Sequence, residues 1–161
     1  MKTAQWIMKS PIGPLHLVAT DTGLRGIFWK KQDVAVVADY KAHVILRKTV
    51  TELEEYFSGE RQTFTVPLDL IGTDFQRKVW DQLRKIPYGK TLSYSDIARK
   101  IKNDKAVRAV GTANGRNPIS IIVPCHRVIA ADGTLGGYAG GLPTKTRLLE
   151  LEKENGLNLA P

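Results

Sequence analysis

The sequence holds one cysteine, three histidines and two methionines in 161 residues, and no apolar run near the roughly 20 residues that a membrane span requires. A single cysteine excludes an internal disulfide and any zinc site built from several thiolates, and it points to a reducing, intracellular setting. The first residues, Met1 to Trp6, lack the apolar core and cleavage site of a signal peptide. Of the histidines, His16 and His43 stand isolated, and a lone histidine is far more often a surface or core residue than a ligand. No metal and no cofactor are therefore expected. Internal repeats and low-complexity segments are missing as well.

What is present is an ordinary globular composition, 42% apolar and 25% charged, enough for one large domain or two small ones. The net charge of +8 is unevenly placed. Residues 1–73 carry 9 Lys and Arg against 8 Asp and Glu, residues 74–127 carry 12 against 4, and residues 128–161 carry 3 against 4. A basic segment of that length suits either a polyanion partner or a solvated lysine-rich face.

Three strand-like runs open the chain: Gln5 to Lys9, Leu15 to Ala19 and Leu24 to Trp29. Ser10-Pro11-Ile12-Gly13-Pro14 and Asp21-Thr22-Gly23 separate them as turns, which predicts an antiparallel meander. Leu46, Val50, Leu53 and Phe57 recur at helical spacing within Val44 to Phe57. Phe64 to Pro67 reads as a last edge strand, and Trp6 and Trp29 as core. Residues 1–66 thus form a small scaffold unit without chemistry, and residues 67–73 a connector.

From residue 74 to residue 161 the character changes. Thr73 with Gln76 and Ser93 with Asp96 are capping-box patterns opening two helices. A third helix is expected near Asp104, and short helices joined by a tight polar turn match a helix-turn-helix. Its sequence, Ala106 to Gly115, is mostly small residues. That pattern suits close backbone approach to a narrow groove, or equally tight packing on another helix. Pro143 and Thr144 start a final helix, with a tail expected to fray from Asn155. The Gly136–Gly141 loop lacks the strand–helix context of a dinucleotide fingerprint.

The lone cysteine lies in Ile119-Ser120-Ile121-Ile122-Val123-Pro124-Cys125-His126-Arg127, whose β-branched residues predict a short buried strand. An imidazole can take the proton of a thiol and leave the nucleophilic thiolate. Neighbours on an extended chain point to opposite sides, so Cys125 and His126 require a sharp turn at Pro124 or a bridging water. Glu150 or Glu152 can orient the far side of the ring. A nucleophile reached only by a base extruded from DNA accounts for the thiol and the basic helices together. A thiol-switched DNA-binding regulator is the competing reading, although sensing thiols tend to be exposed.

Arg108-Ala109-Val110-Gly111, Asn117-Pro118 and Pro124-Cys125-His126-Arg127-Val128-Ile129 resemble the signature of the O6-alkylguanine-DNA alkyltransferases. The likeness extends back through Pro87-Tyr88-Gly89 and Ser93-Tyr94, and on through Gly136-Gly137-Tyr138 and Gly140-Gly141-Leu142 to Glu152. The resemblance implies an α+β protein: a small N-terminal α/β, ribonuclease H-like domain, then a mostly helical domain with a winged helix-turn-helix-like motif. It implies that Cys125 accepts the alkyl group, that His126 acts as base through a water polarised by Glu152, and that Asn117 braces the active-site turn. Arg108 would fill the gap left by the flipped nucleotide, and Tyr94 would protonate the departing guanine. Tyr138, Ala139 and Gly140 would wall the base pocket, while Ser93, Ala109 and Gly111 would line the DNA. The partner would be double-stranded DNA carrying alkylated bases, with no membrane, and the protein a cytoplasmic, nucleoid-associated (in a eukaryote, nuclear) monomer.

Two departures stand out. Family members often carry serine where this chain has Ala139, which removes one hydrogen bond worth roughly 0.5–1.5 kcal/mol. Some also bind zinc through cysteines in the first domain, and this chain has none there. A thioether is a poor leaving group and no second thiol is present, so the reaction is expected to be stoichiometric. A relative that only binds alkylated DNA would lack the cysteine, so Cys125 argues against that alternative.

Overall fold

The computed structural model describes residues 2–159 and divides into two compact units, Met1–Ile71 and Gly72–Pro161. In the first unit β1 (Ala4–Met8), β2 (Leu15–Ala19) and β3 (Leu24–Phe28) form an antiparallel sheet in that order. The alternation in β2 buries Leu15 and Leu17, and α1 (Val44–Phe57) packs on the sheet with Leu46, Val50, Leu53 and Tyr56 buried. Each such side chain contributes roughly 1.5–3 kcal/mol on leaving water. His43 caps the helix, its Nδ1 accepting from Leu46 N at 3.3 Å.

Phe64 to Pro67 is not a strand. Leu24 N donates to Pro67 O at 2.8 Å and Asp69 N to Leu24 O at 2.8 Å, leaving one bridge, Leu24 with Leu68. Pro67 has no N–H to extend a ladder, and Thr65 N and Oγ1 are already taken by the buried Glu52 carboxylate at 2.7 and 2.5 Å. Trp6 and Trp29 are half-buried rather than core, Trp6 lying on Tyr40 with ring centroids 5.0 Å apart.

The second unit is mostly helical. Both capping boxes form, at Thr73/Gln76 for α2 (Asp74–Arg84) and at Ser93/Asp96 for α3 (Tyr94–Lys100). The third helix, α4 (Val107–Gly115), starts later than Asp104 and has no side-chain cap. Trp80 Nε1 donates to Ala113 O at 2.8 Å and ties α2 to α4. Helix α5 runs Leu142–Leu159, so the tail expected to fray from Asn155 is helical as far as residue 159, and residues 160 and 161 lie outside the described ones. Among the described residues no helix is long and apolar enough to cross a membrane.

The largest departure concerns Ile119 to Val123, which is a buried turn and not a strand. Ile121 sits at φ +75°, and Val123 N turns back to Ile119 O at 2.9 Å. Asn117 explains it: its Oδ1 accepts from Ile119 N at 3.0 Å and its Nδ2 donates to Val123 O at 2.7 Å. Several of the peptide groups that a strand would offer to a neighbour are used inside the turn, and Ile119 keeps only an isolated bridge. The extended chain resumes only at β5 (Val128–Ile129), which pairs in parallel with β4 (Leu92–Ser93).

Candidate active site

Pro124 ends the buried turn at φ −81°, ψ 67°, and Cys125-His126-Arg127 then form one 3-10 turn. The chain therefore does turn sharply at Pro124, which lets neighbouring Cys125 and His126 belong to one site. Cys125 is 4% exposed and His126 is fully buried. Two residues past the turn, the β4–β5 pairing sets Ser93 level with Ile129 and delivers Tyr94 to the same site.

Behind the thiol lies a buried ionic cluster. His126 Nε2 is 2.6 Å from Glu152 Oε2, and Arg127 grips the same carboxylate at both ends, Nε to Oε1 at 2.7 Å and Nη2 to Oε2 at 3.0 Å. Gly89 N adds a weaker bond to Oε1 at 3.3 Å, and Arg127 Nη1 donates to Ile86 O at 2.8 Å. The guanidinium also stacks over the Tyr88 ring at 5.6 Å. Burial alone would push the Glu152 carboxyl up, but His126 and Arg127 outweigh it and hold it well below the usual carboxylate range. Burial holds the His126 pKa below its ordinary value despite Glu152. The imidazole is thus neutral, with Nε2–H donated to the ionised carboxylate and the Nδ1 lone pair without a protein partner among the described residues.

Around the thiol itself, burial raises the Cys125 pKa, opposed by the Asn117 hydrogen bond, the Lys145 charge and the Ser120 hydrogen bond. Asn114 Nδ2 reaches Cys125 O at 3.4 Å. Tyr94 and Tyr138 complete the cluster, each phenol pushed up by burial and then by the neighbouring Cys125. A free thiolate is not the resting state here. His126 adjoins the thiol within the same 3-10 turn.

The other sequence candidates lie outside this cluster. Arg108 and Ala109 are exposed on α4, and Gly111 faces Tyr94, whose ring lies 3.9 Å from where a Cβ would stand. Ser93 Oγ accepts from Asp96 N at 3.0 Å as the α3 cap. Ala139 is exposed and Gly140 half-buried in the loop after Tyr138.

Sequence reasoning missed two residues. Arg127 was visible as the neighbour of His126, yet its bidentate grip on Glu152 depends on α5 packing. Lys145 is fully buried and its Nζ donates to Val128 O at 2.7 Å, to Gly137 O at 3.3 Å and to Leu135 O. One ammonium thereby fastens β5, the glycine-rich loop and α5 together. The signal was spacing: Lys145, Leu148 and Glu152 follow i, i+3, i+7 on one helix face, so a lysine lay on the buried stripe.

Comparison with known proteins agrees with this arrangement. Residues 74–154 match the family model of the 6-O-methylguanine DNA methyltransferase DNA binding domain, and residues 6–70 that of the same family's ribonuclease-like domain. The methylated-DNA–protein-cysteine methyltransferase of Methanosarcina acetivorans is 50% identical over 149 residues, covering 91% of this chain and 96% of the relative. The enzyme of that name from Mycobacterium leprae is 49% identical over 148 residues, covering 91% and 90%. The crystal structure of Mycobacterium tuberculosis OGT in complex with DNA superposes with a TM-score of 0.87 at 46% identity, over 94% of each chain. With both halves matched and the lone thiol set against a histidine, a buried glutamate and two tyrosines, the chain belongs to the 6-O-methylguanine DNA methyltransferase family.

Proposed function

We propose that the protein repairs DNA by direct reversal, moving the alkyl group of O6-alkylguanine onto Cys125 in a single turnover. The observation that carries this reading is the shared 3-10 turn: the chain's one thiol is buried beside a histidine whose far nitrogen is tied to an ionised glutamate. The thiol proton passes through a bridging water to His126 Nδ1. The sulfur then forms the S–C bond as the C–O6 bond breaks in line, and the electron pair leaves with the guanine. Tyr94 gives its phenol proton to N3 of the departing base, and the proton held by His126 balances the tyrosinate.

The remaining residues deliver the base. Asn117 holds the turn that aims Cys125. The small face of α4, with Ala109 and Gly111, comes close to the minor groove, Arg108 fills the place of the flipped nucleotide, and Ser93 lies beside the backbone next to Tyr94. Tyr138, Ala139 and Gly140 wall the pocket. Duplex DNA carrying an alkylated base is the substrate, and the protein works as a cytoplasmic monomer at the nucleoid.

The test is to incubate the protein with a duplex carrying one O6-methylguanine and weigh the intact chain. A gain of one methyl at Cys125, absent in Cys125→Ala, is the expected result. Unmodified protein bound tightly to the lesion would overturn the reading.

A further inference from the structure

Away from the thiol, the C-terminal ends of α2 and α3 border a cleft made of two adjoining hollows that share Lys85 and Lys100, one reaching Lys90 and the other Lys78 and Lys102, with Asp81 as the one acid in their lining. All five lysines are exposed, and none forms an ion pair among the described residues. Compensation of helix dipoles accounts for Lys85 and Lys100, which stand at helix C-termini. It does not account for Lys78 in mid-helix, Lys90 in the following loop, or Lys102 beyond the end of α3.

Lys102 adds an independent observation. It ends α3 in the left-handed region at φ +58°, with Lys102 N on Arg99 O and Asn103 N on Ala98 O, both at 2.9 Å. Glycine is the residue that fills this helix-ending position without strain. Among the described residues glycine fills six other positive-φ positions, and the one other exception, Ile121, is buried in the active-site turn. A lysine at this position carries backbone strain that a glycine would avoid, and that strain points to a use for its side chain.

Direction sets the partner. On α2, Lys78, Asp81 and Lys85 share one stripe, roughly opposite Val79, Trp80 and Leu83, which pack inward with Trp80 bonded to α4. The cleft therefore opens away from the side of α2 that supports the lesion-reading helix. We infer that this lysine cleft binds the phosphate backbone of a second DNA segment while α4 holds the first, so that the protein passes directly from one segment to another during its search. The inference rests on DNA being the substrate.

Competitor-driven dissociation tests it. The full chain is bound to a fluorescent duplex and mixed with rising concentrations of an unlabelled duplex. The dissociation rate of the parent rises with competitor concentration, because the second segment docks before the first leaves. In Lys85→Gln/Lys100→Gln/Lys102→Gly the competitor-dependent part falls by about tenfold or more, while methyl transfer to a saturating lesion duplex stays unchanged. Lys102→Gly alone melts no lower than the parent. A parent rate independent of competitor, or a triple variant that keeps the dependence, overturns the inference, and a lower melting temperature for Lys102→Gly overturns the strain argument. Failure of methyl transfer in the parent would sink the repair reading instead, so the two failures are told apart.

Discussion

Glu152 serves one guanidinium, an imidazole and a backbone amide from one position on α5. Replacing it with glutamine keeps its size and leaves the Arg127 guanidinium buried without a counter-charge. That costs about 3–5 kcal/mol and slows methyl transfer, read by urea unfolding and by the rate of mass gain. The cluster also sets the response to acid. His126 and Glu152 both titrate below their ordinary values of 6.5 and 4.5 when folded. The unfolded chain takes up protons at those ordinary values, so acid favours unfolding: stability is complete above about pH 6.5 and declines below it through His126, then again below about pH 4.5 through Glu152. Urea midpoints measured across this range should show both steps, and Glu152→Gln should lack the second. Methyl transfer should fall at a lower pH than an ordinary imidazole would set, since burial lowers the His126 pKa.

Lys145 belongs at the same scale. Lys145→Met keeps the apolar stem and strips three carbonyls of their donor, at about 1–3 kcal/mol for a buried acceptor left unmade. The expected readout is faster amide exchange across residues 130–141 together with slower transfer. If exchange in that loop is unchanged, the lysine does not fasten it.

Among the elements, the turn at Ile119–Val123 shows what was legible and what was not. Periodicity and caps located α1, α2, α3 and the three-stranded sheet closely, because those elements are decided by side chains a few residues apart. The turn carries the composition of a strand, and only Asn117, bonding Ile119 N and Val123 O, diverts it. A long-range or through-loop hydrogen bond leaves no periodic trace. The same holds for the late start of α4, where no side chain caps Ala106. That Glu152 meets the far side of the His126 ring was legible in the sequence, whereas the contacts of Arg127 and Lys145 depend on how α5 packs. Ile121→Gly measures the turn: it relieves left-handed strain of about 1–2 kcal/mol, but loses a fully buried side chain worth about 2–5 kcal/mol with its cavity. Net destabilisation is expected. Gly136 offers a probe of Tyr94, since a Cβ there would lie 2.7 Å from Tyr94 Oη, in addition to the strain of a side chain at φ +71°. Gly136→Ala should displace Tyr94 and lower the transfer rate with little change in duplex binding, separable by rate and affinity measurements.

For the molecule as a whole, charge decides the encounter with DNA. Nearly all of the +8 net charge lies in the second unit, while the first is close to neutral. Binding to duplex should weaken with salt, log affinity falling by about 0.9 per phosphate neutralised for each unit of log salt. Arg108→Ala should change affinity for a lesion duplex more than for an undamaged one.

The depth of Cys125 bears on how the protein survives unused. A thiol that is 4% exposed, with its pKa raised by burial, meets few soluble electrophiles and little peroxide as thiolate. The folded chain should react with iodoacetamide far more slowly than the same chain in urea. If that contrast holds, selectivity for damage is partly built in before any base is read, because a stray alkylating agent in solution meets a shielded sulfur. The stock of active molecules then records lesions met in DNA and not the general chemical weather of the cell.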